Sequence, residues 1–222
     1  MVDIRIAPSM LSADFLHLEK DVRMVNEYAD IFHLDVMDGT FVPNISYGFP
    51  VVEAIARQGK KPLDVHMMIV HPEKYAVKFV DAGASMVSFH LEAVENDRKA
   101  DDILSEIRLA GAKAGLVINP DIPVERLYPH LENADYFLIM SVFAGFGGQK
   151  FIPETFAKIR NLKEYMEKQG IVRPIEVDGG VSKENVHALC EAGAEIFVAG
   201  SAIFKSECPR DYIAQMRQLA VD

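Results

Sequence analysis

Short apolar segments recur along the chain at residues 4–10, 31–38, 62–69, 86–92, 113–119, 136–142, 174–180 and 196–202. Each has the length and the apolar content of a strand. Between them, apolar residues fall at helical spacing. Residues 14–28 place Phe15, Leu18, Val22 and Val25 on one stripe. Residues 72–82 open on Pro72 and stop before Gly83, and residues 153–168 open on Pro153 and stop before Gly170. Proline at the start and glycine past the end are ordinary helix punctuation. Residues 182–192 begin with Ser182, the expected N-cap, with Asn185 three positions on. Three segments end alike: Asp81-Ala82-Gly83-Ala84, Leu109-Ala110-Gly111-Ala112 and Glu191-Ala192-Gly193-Ala194. Strand–helix alternation through the whole chain predicts a parallel sheet. Eight such units in 222 residues predict an α/β protein, a single-domain (β/α)8 TIM barrel over residues 1–222. An open doubly wound sheet is the alternative. No composition shift or linker divides the chain.

The segment Phe32-His33-Leu34-Asp35-Val36-Met37, closed by Asp38-Gly39, carries the first chemistry. In a strand, Phe32, Leu34 and Val36 face one way, and His33, Asp35 and Met37 face the other. A histidine and a carboxylate on one face of an apolar strand need a compensating partner or metal. On this stretch alone, an ordinary ion pair or an exposed edge strand stays open. Other strand ends carry similar residues. Asp64 and His66 share a face of the third strand, Asp178 closes the seventh, and Ser9 ends the first. In a (β/α)8 barrel the chemistry gathers at the C-terminal ends of the strands. Histidines and aspartates from three strands are therefore expected at one mouth. Imidazole plus carboxylate suits Zn²⁺, Fe²⁺, Mn²⁺ or Co²⁺, and the spacing does not choose among them. Taken singly, each histidine is as well read as a hydrogen-bonded core residue, and Asp64 and Asp38 as turn or ion-pair residues.

Glycines mark the last three strand ends: Gly145-Phe146-Gly147-Gly148, Gly179-Gly180 and Gly200-Ser201. Backbone N–H groups at such glycines can cradle an anion, and loops in this part of a barrel often bind phosphate. No Lys or Arg stands among these glycines. The alternative is a set of tight turns. Met37, Met68 and Met140 also fall near strand ends. They read either as adaptable core filling or as an apolar cap that excludes water without competing as a ligand.

Charge narrows the function classes. With 33 acidic and 23 basic residues the formal net charge is −10. No basic cluster appears, so neither nucleic acid nor an anionic membrane surface is an expected partner. The first five residues lack the features of a signal peptide, and no apolar stretch is long enough to span a bilayer. Cys190 and Cys208 have neither metal-ligand nor redox spacing. Free thiols in a reducing cytoplasm are the expectation. An enzyme, a small-molecule binding protein and a scaffold remain.

Seven stretches then carry a resemblance: residues 7–15, His33-Leu34-Asp35-Val36-Met37-Asp38-Gly39, Phe41-Val42-Pro43-Asn44, Asp64-Val65-His66-Met67-Met68, Gly145-Phe146-Gly147-Gly148-Gln149, Glu176-Val177-Asp178-Gly179-Gly180 and Val198-Ala199-Gly200-Ser201-Ala202. Over nearly its full length the chain resembles the ribulose-phosphate 3-epimerases. The resemblance implies one divalent metal ion held by His33, Asp35, His66 and Asp178. It implies Asp35 and Asp178 as the acid/base pair, and Ser9 and His66 against the sugar. The glycine loops, including Phe146 and Ser201, would hold the phosphate. It also implies a ketose phosphate substrate, D-ribulose 5-phosphate, and a homo-oligomer. Two positions depart from the family pattern. Phe143-Ala144 stands where Asn-Pro is usual, and Thr40 where histidine is frequent. D-allulose 6-phosphate, the substrate of a close relative in the family, is therefore kept as the alternative. A barrel lyase or decarboxylase would want a lysine beside the carboxylates, and none is at a strand end. A mere binding protein would not need both Asp35 and Asp178.

Overall fold

The computed structural model describes residues 4–221. Residues 1–3, part of the stretch read as lacking a leader, lie outside it. The eight strands are β1 (Arg5–Pro8), β2 (Phe32–Met37), β3 (Leu63–Met68), β4 (Met86–His90), β5 (Lys113–Ile118), β6 (Tyr136–Met140), β7 (Ile175–Asp178) and β8 (Ile196–Ala199). All pair in parallel, in the order β1-β8-β7-β6-β5-β4-β3-β2. The barrel closes between β1 and β2 through the single bridge Ser9–His33. The period-two alternation of β2 holds: Phe32, Leu34 and Val36 pack in the large outer core beneath the helices. His33 and Asp35 turn inward and are buried.

The helices are α1 (Leu18–Tyr28), α2 (Phe49–Gln58), α3 (Ala76–Asp81), α4 (Asp97–Leu109), α5 (Thr155–Lys168), α6 (Val186–Ala192), α7 (Ser201–Phe204) and α8 (Pro209–Val221). The recurrent Ala-Gly-Ala words end α3, α4 and α6 in one way. Gly83, Gly111 and Gly193 have φ of +107°, +100° and +113°. The N–H of the alanine after each bonds five residues back, as Ala84 does to the Phe79 carbonyl at 2.9 Å. These are Schellman caps, so the repeated glycine answers a left-handed backbone.

Four expectations are corrected. The first helix begins at Leu18, not near Asp14, because Asp14 Oδ1 accepts the Leu16 N–H at 3.0 Å and holds a turn there. Phe15 therefore leaves the helical stripe, stays half exposed and meets the Tyr47 ring. Pro72 opens only a 3₁₀ turn, Pro72–Lys74, before α3. Ser182 is not an N-cap; its own N–H donates to Asn185 Oδ1 at 2.9 Å, and α6 starts at Val186. After β5 the crossover is a 3₁₀ segment, Val124–His130, with Pro129 inside it, where a regular α-helix is the usual partner.

Candidate active site

Strand register builds the site. Asp35 on β2 stands beside His66 on β3, and Met37 beside Met68. Asp178 ends β7 beside Met140 of β6. Asp35 Oδ2 accepts the Ser9 hydroxyl at 2.5 Å. Asp35 Oδ1 lies 3.3 Å from His33 Nε2 and 3.1 Å from His66 Nδ1. Asp178 Oδ2 lies 3.8 Å from His33 Nε2 and 3.7 Å from His66 Nδ1. One donor atom from each of the four residues falls within 4.8 Å of the others. The four residues named by the resemblance thus converge.

Their surroundings fit a cation. His33 Nδ1 faces Asp64 Oδ2 at 2.8 Å, which leaves Nε2 of a neutral ring as a lone pair aimed at the cluster. That Nε2 is buried and makes no hydrogen bond. A carboxylate behind a histidine on the side away from the metal is a common way to orient a ligand and raise its basicity. Without a cation, the electrostatics separate the two aspartates. Burial pushes Asp178 up to about 7, with the Asp35 charge adding to it. Burial also opposes ionisation of Asp35, but with no cation bound the charge on His33, whose Nε2 lies 3.3 Å away, and the hydrogen bond from His66 outweigh it and hold that carboxyl far below its ordinary value. Burial lowers His66 to about 4, so its ring is neutral at pH 7.

Under this layer lies a second polar tier, of which the sequence had shown only Asp64. Asp64 Oδ1 accepts the Tyr136 hydroxyl at 2.6 Å. Tyr136 needs Gly115 on the neighbouring strand, because a Cβ there would sit 2.3 Å from its ring. Glu176 on β7 is fully buried, with Oε1 3.3 Å from His33 Nδ1. Burial, then the Asp64 charge, raises Glu176 from 4.5 to about 8. Between pH 4.5 and 8 the unfolded chain has released this proton and the native protein keeps it. Native stability therefore falls as pH rises through that window. Glu176→Gln, compared with wild type by urea unfolding of the chelated proteins, should gain stability at pH 8 relative to pH 5. The gain should be of order ~1 kcal/mol or more. Parallel pH dependences in the two proteins would contradict the assignment.

The barrel seam adds two positioning side chains. On its open side β2 has no β1 partner beyond His33. There Asp35 N–H donates to the Tyr47 hydroxyl at 3.1 Å and Met37 N–H to Ser46 Oγ at 3.0 Å. The Ser46 hydroxyl in turn donates to the Asp35 carbonyl at 2.5 Å. Two loop side chains thus replace a strand edge beside Asp35.

Above the cluster opens a cavity of about 390 Å³. Asp35, Asp178 and Ser9 line its floor, and Met37, Met68 and Met140 its wall. Gly145, Phe146, Gly147, Gly148, Gly179, Gly180, Gly200 and Ser201 form the rim. His33 and His66 are buried beneath and do not line it. Lys205, just past α7, does line it, so a cation stands close to the glycine loops although none lies within them. Gly180 has φ +63°, and a Cβ there would meet the Phe151 backbone nitrogen at 2.7 Å. Ser141 fastens this turn, donating to the Gly179 carbonyl at 2.5 Å. Of the two departures, Phe143-Ala144 lies on the rim and Thr40 does not. The Ala144 N–H, which a proline would lack, donates to Asn119 Oδ1 at 3.1 Å.

Among the described residues, no helix is long and apolar enough to cross a membrane. In fold, the chain is similar to 3-hexulose-6-phosphate synthase from Salmonella typhimurium. That match has a TM-score of 0.73 and 18% identity, covering 98% of this chain and 99% of the other. Orotidine 5'-phosphate decarboxylase from Pyrococcus horikoshii matches with a TM-score of 0.71 and 14% identity, covering 98% and 99%. At such identities the likeness concerns the barrel alone. Sequence relatives say more. A ribulose-phosphate 3-epimerase of Synechocystis is 47% identical over 97% of this chain and 94% of its own. Those of Bacillus subtilis and Schizosaccharomyces pombe are 42% and 41% identical, over 96% and 98% of this chain and 98% and 94% of theirs. With the model of the ribulose-phosphate 3 epimerase family matching residues 5–204, this chain belongs to that family and is an epimerase.

Proposed function

We propose that this chain interconverts D-ribulose 5-phosphate and D-xylulose 5-phosphate, with Asp35 and Asp178 as its acid/base pair and one divalent cation as cofactor. The observation that carries the reading is two carboxyls on one cavity floor, Asp35 from β2 and Asp178 from β7, both facing His33 Nε2 and His66 Nδ1. Carboxyls that reach one cavity from different strands are placed to take a proton on one side of a substrate carbon and give one on the other. Carbon 3 of the ketose is acidified by the neighbouring C2 carbonyl. One aspartate removes its proton from one face, leaving an enediolate, and the other returns a proton to the opposite face. In the reverse direction the roles exchange. Ser9 fixes the Asp35 carboxylate, and Ser46 and Tyr47 fix its backbone, so the base is oriented before substrate arrives. Met37, Met68 and Met140 keep water from the enediolate. The rim glycines and Ser201 supply N–H and hydroxyl donors for the phosphate, with Lys205 adding charge. Zn²⁺, Fe²⁺, Mn²⁺ or Co²⁺ held by His33, His66, Asp35 and Asp178 would supply Lewis-acid stabilisation of the developing negative charge.

Chelation is expected to remove activity, and one equivalent of a suitable dication to restore it. His66→Ala should lose the metal more readily than His71→Ala, since the His71 side chain is 60% exposed and lies outside the cluster. Full activity in rigorously metal-free protein would overturn the cofactor assignment.

Substrate choice is tested by kcat/KM on D-ribulose 5-phosphate and D-allulose 6-phosphate. The pentulose phosphate is expected to be preferred. A preference of more than about tenfold for the six-carbon phosphate would favour the alternative, since an apolar site discriminates one extra carbon by only ~1–3 kcal/mol. The double variant Phe143→Asn, Ala144→Pro loses the N–H held by Asn119 and should shift the ratio within that range. An unchanged ratio would show that this rim segment does not set chain length.

A further inference from the structure

His90 ends β4, fully buried, and is not one of the four converging donors. Its ring stacks on His66 with centroids 5.1 Å apart at 26°. Its Nε2 lies 2.9 Å from His66 Nε2. Two imidazole nitrogens at this distance share one hydrogen, so the tautomer of one neutral ring dictates that of the other. On the far side, His90 Nδ1 faces Glu92 Oε1 at 3.5 Å and Asn119 Nδ2 at 3.3 Å. The Asn119 amide is oriented independently: Oδ1 accepts the Ala144 N–H, and Nδ2 donates to Glu92 Oε1 at 2.9 Å.

Two opposite directions of hydrogen bonding satisfy this chain. In the first, Asn119 donates to His90 Nδ1, His90 Nε2–H to His66 Nε2, and His66 Nδ1–H to Asp35 Oδ1, 3.1 Å away. In the second, His66 Nε2–H donates to His90 Nε2, and His90 Nδ1–H turns to the Glu92 carboxylate, which can only accept. Only the second leaves a lone pair on His66 Nδ1, the nitrogen that faces Asp35 and Asp178. A histidine that ligates a cation must present that lone pair.

We propose that His90, backed by Glu92, is a positioning residue that selects the ligating tautomer of His66 and fixes its ring plane. The proposal rests on the metal reading above. It also accounts for a buried histidine that does not line the cavity and is not itself one of the four donors. Phe41 closes the other side of the ring, with centroids 4.8 Å apart.

The test combines zinc affinity, by competition with a chelating dye, and nitrogen-15 NMR of the histidine side chains in zinc-loaded wild type. The expected spectrum places the hydrogens on His66 Nε2 and His90 Nδ1. His90→Leu leaves the His66 Nε2–H without an acceptor and should weaken zinc binding about 10–100-fold. His90→Gln, whose carbonyl oxygen can accept that N–H, should recover most of the loss. Wild-type affinity in His90→Leu, or a hydrogen on His90 Nε2 in the loaded protein, would overturn the proposal while leaving the metal site standing. If His90→Leu does not fold, the wild-type spectrum and His90→Gln still decide. Failure of wild type to bind zinc, manganese or cobalt would remove the metal reading and this proposal with it.

Discussion

Asp178→Asn is expected to abolish epimerisation while leaving the barrel folded, and so is Asp35→Asn. Asparagine matches aspartate in volume, and both positions sit at the polar end of the barrel interior, so neither change opens a cavity. What each removes is a group able to exchange a proton with carbon 3. General acid/base groups contribute about 10²–10⁴-fold, and loss of a carboxylate from the cation cluster adds to that. The two variants should also fail differently. Each retains one base and can still exchange the carbon-3 proton from one face. In heavy water one variant should wash deuterium into one epimer only, and the other variant into the other epimer. Turnover within about tenfold of wild type in both, with metal bound, would show that the pair is wrongly assigned.

The second large effect is expected at the phosphate rim, where Gly180 and Gly200 separate two kinds of constraint. At Gly180 the backbone is left-handed, and a Cβ would press on the Phe151 nitrogen at 2.7 Å and the Gln149 carbonyl at 3.0 Å. Neither neighbour can rotate away, so Gly180→Val should displace the loop and destabilise the protein together with substrate binding. At Gly200 the close neighbour is the Ser12 hydroxyl, 2.6 Å away on a side chain that can turn. Gly200→Val should therefore fold and fill the phosphate pocket. KM for D-ribulose 5-phosphate should rise at least ~10-fold, with little change for unphosphorylated D-ribulose, already a poor substrate because remote binding energy is missing. An enzyme that handled the free ketose as well as the phosphate would contradict the anion-binding role of the rim.

Particular residues show what the sequence could disclose. His33, Asp35, Asp64, His66 and Asp178 stood out because polar residues on apolar strands near their ends are conspicuous, and the family resemblance then singled out four of them as ligands. The barrel was legible for a similar reason, since the Ala-Gly-Ala punctuation repeats where α3, α4 and α6 turn back into strands. Tyr136, Glu176, His90 and Asn119 were not legible. Their importance comes from partners far along the chain, 72 positions for Tyr136 and Asp64 and 24 for His90 and His66, and only register brings them together. Glu176 was hidden in a stretch read for its glycines and Asp178. Ser46 and Tyr47 act because β1 leaves β2 uncovered, which no local pattern encodes. Lys205 was missed because it stands outside the glycine loops and reaches the cavity from the residue after α7.

The central claim is that protons leave and return at carbon 3 through two protein groups that exchange with solvent. Its most direct test is to convert D-ribulose 5-phosphate in deuterium oxide with metal-loaded wild type and read carbon 3 of the product by NMR. The account predicts D-xylulose 5-phosphate carrying deuterium at carbon 3 from the first turnover. Product that retains protium at carbon 3, or no D-xylulose 5-phosphate at all, would contradict it.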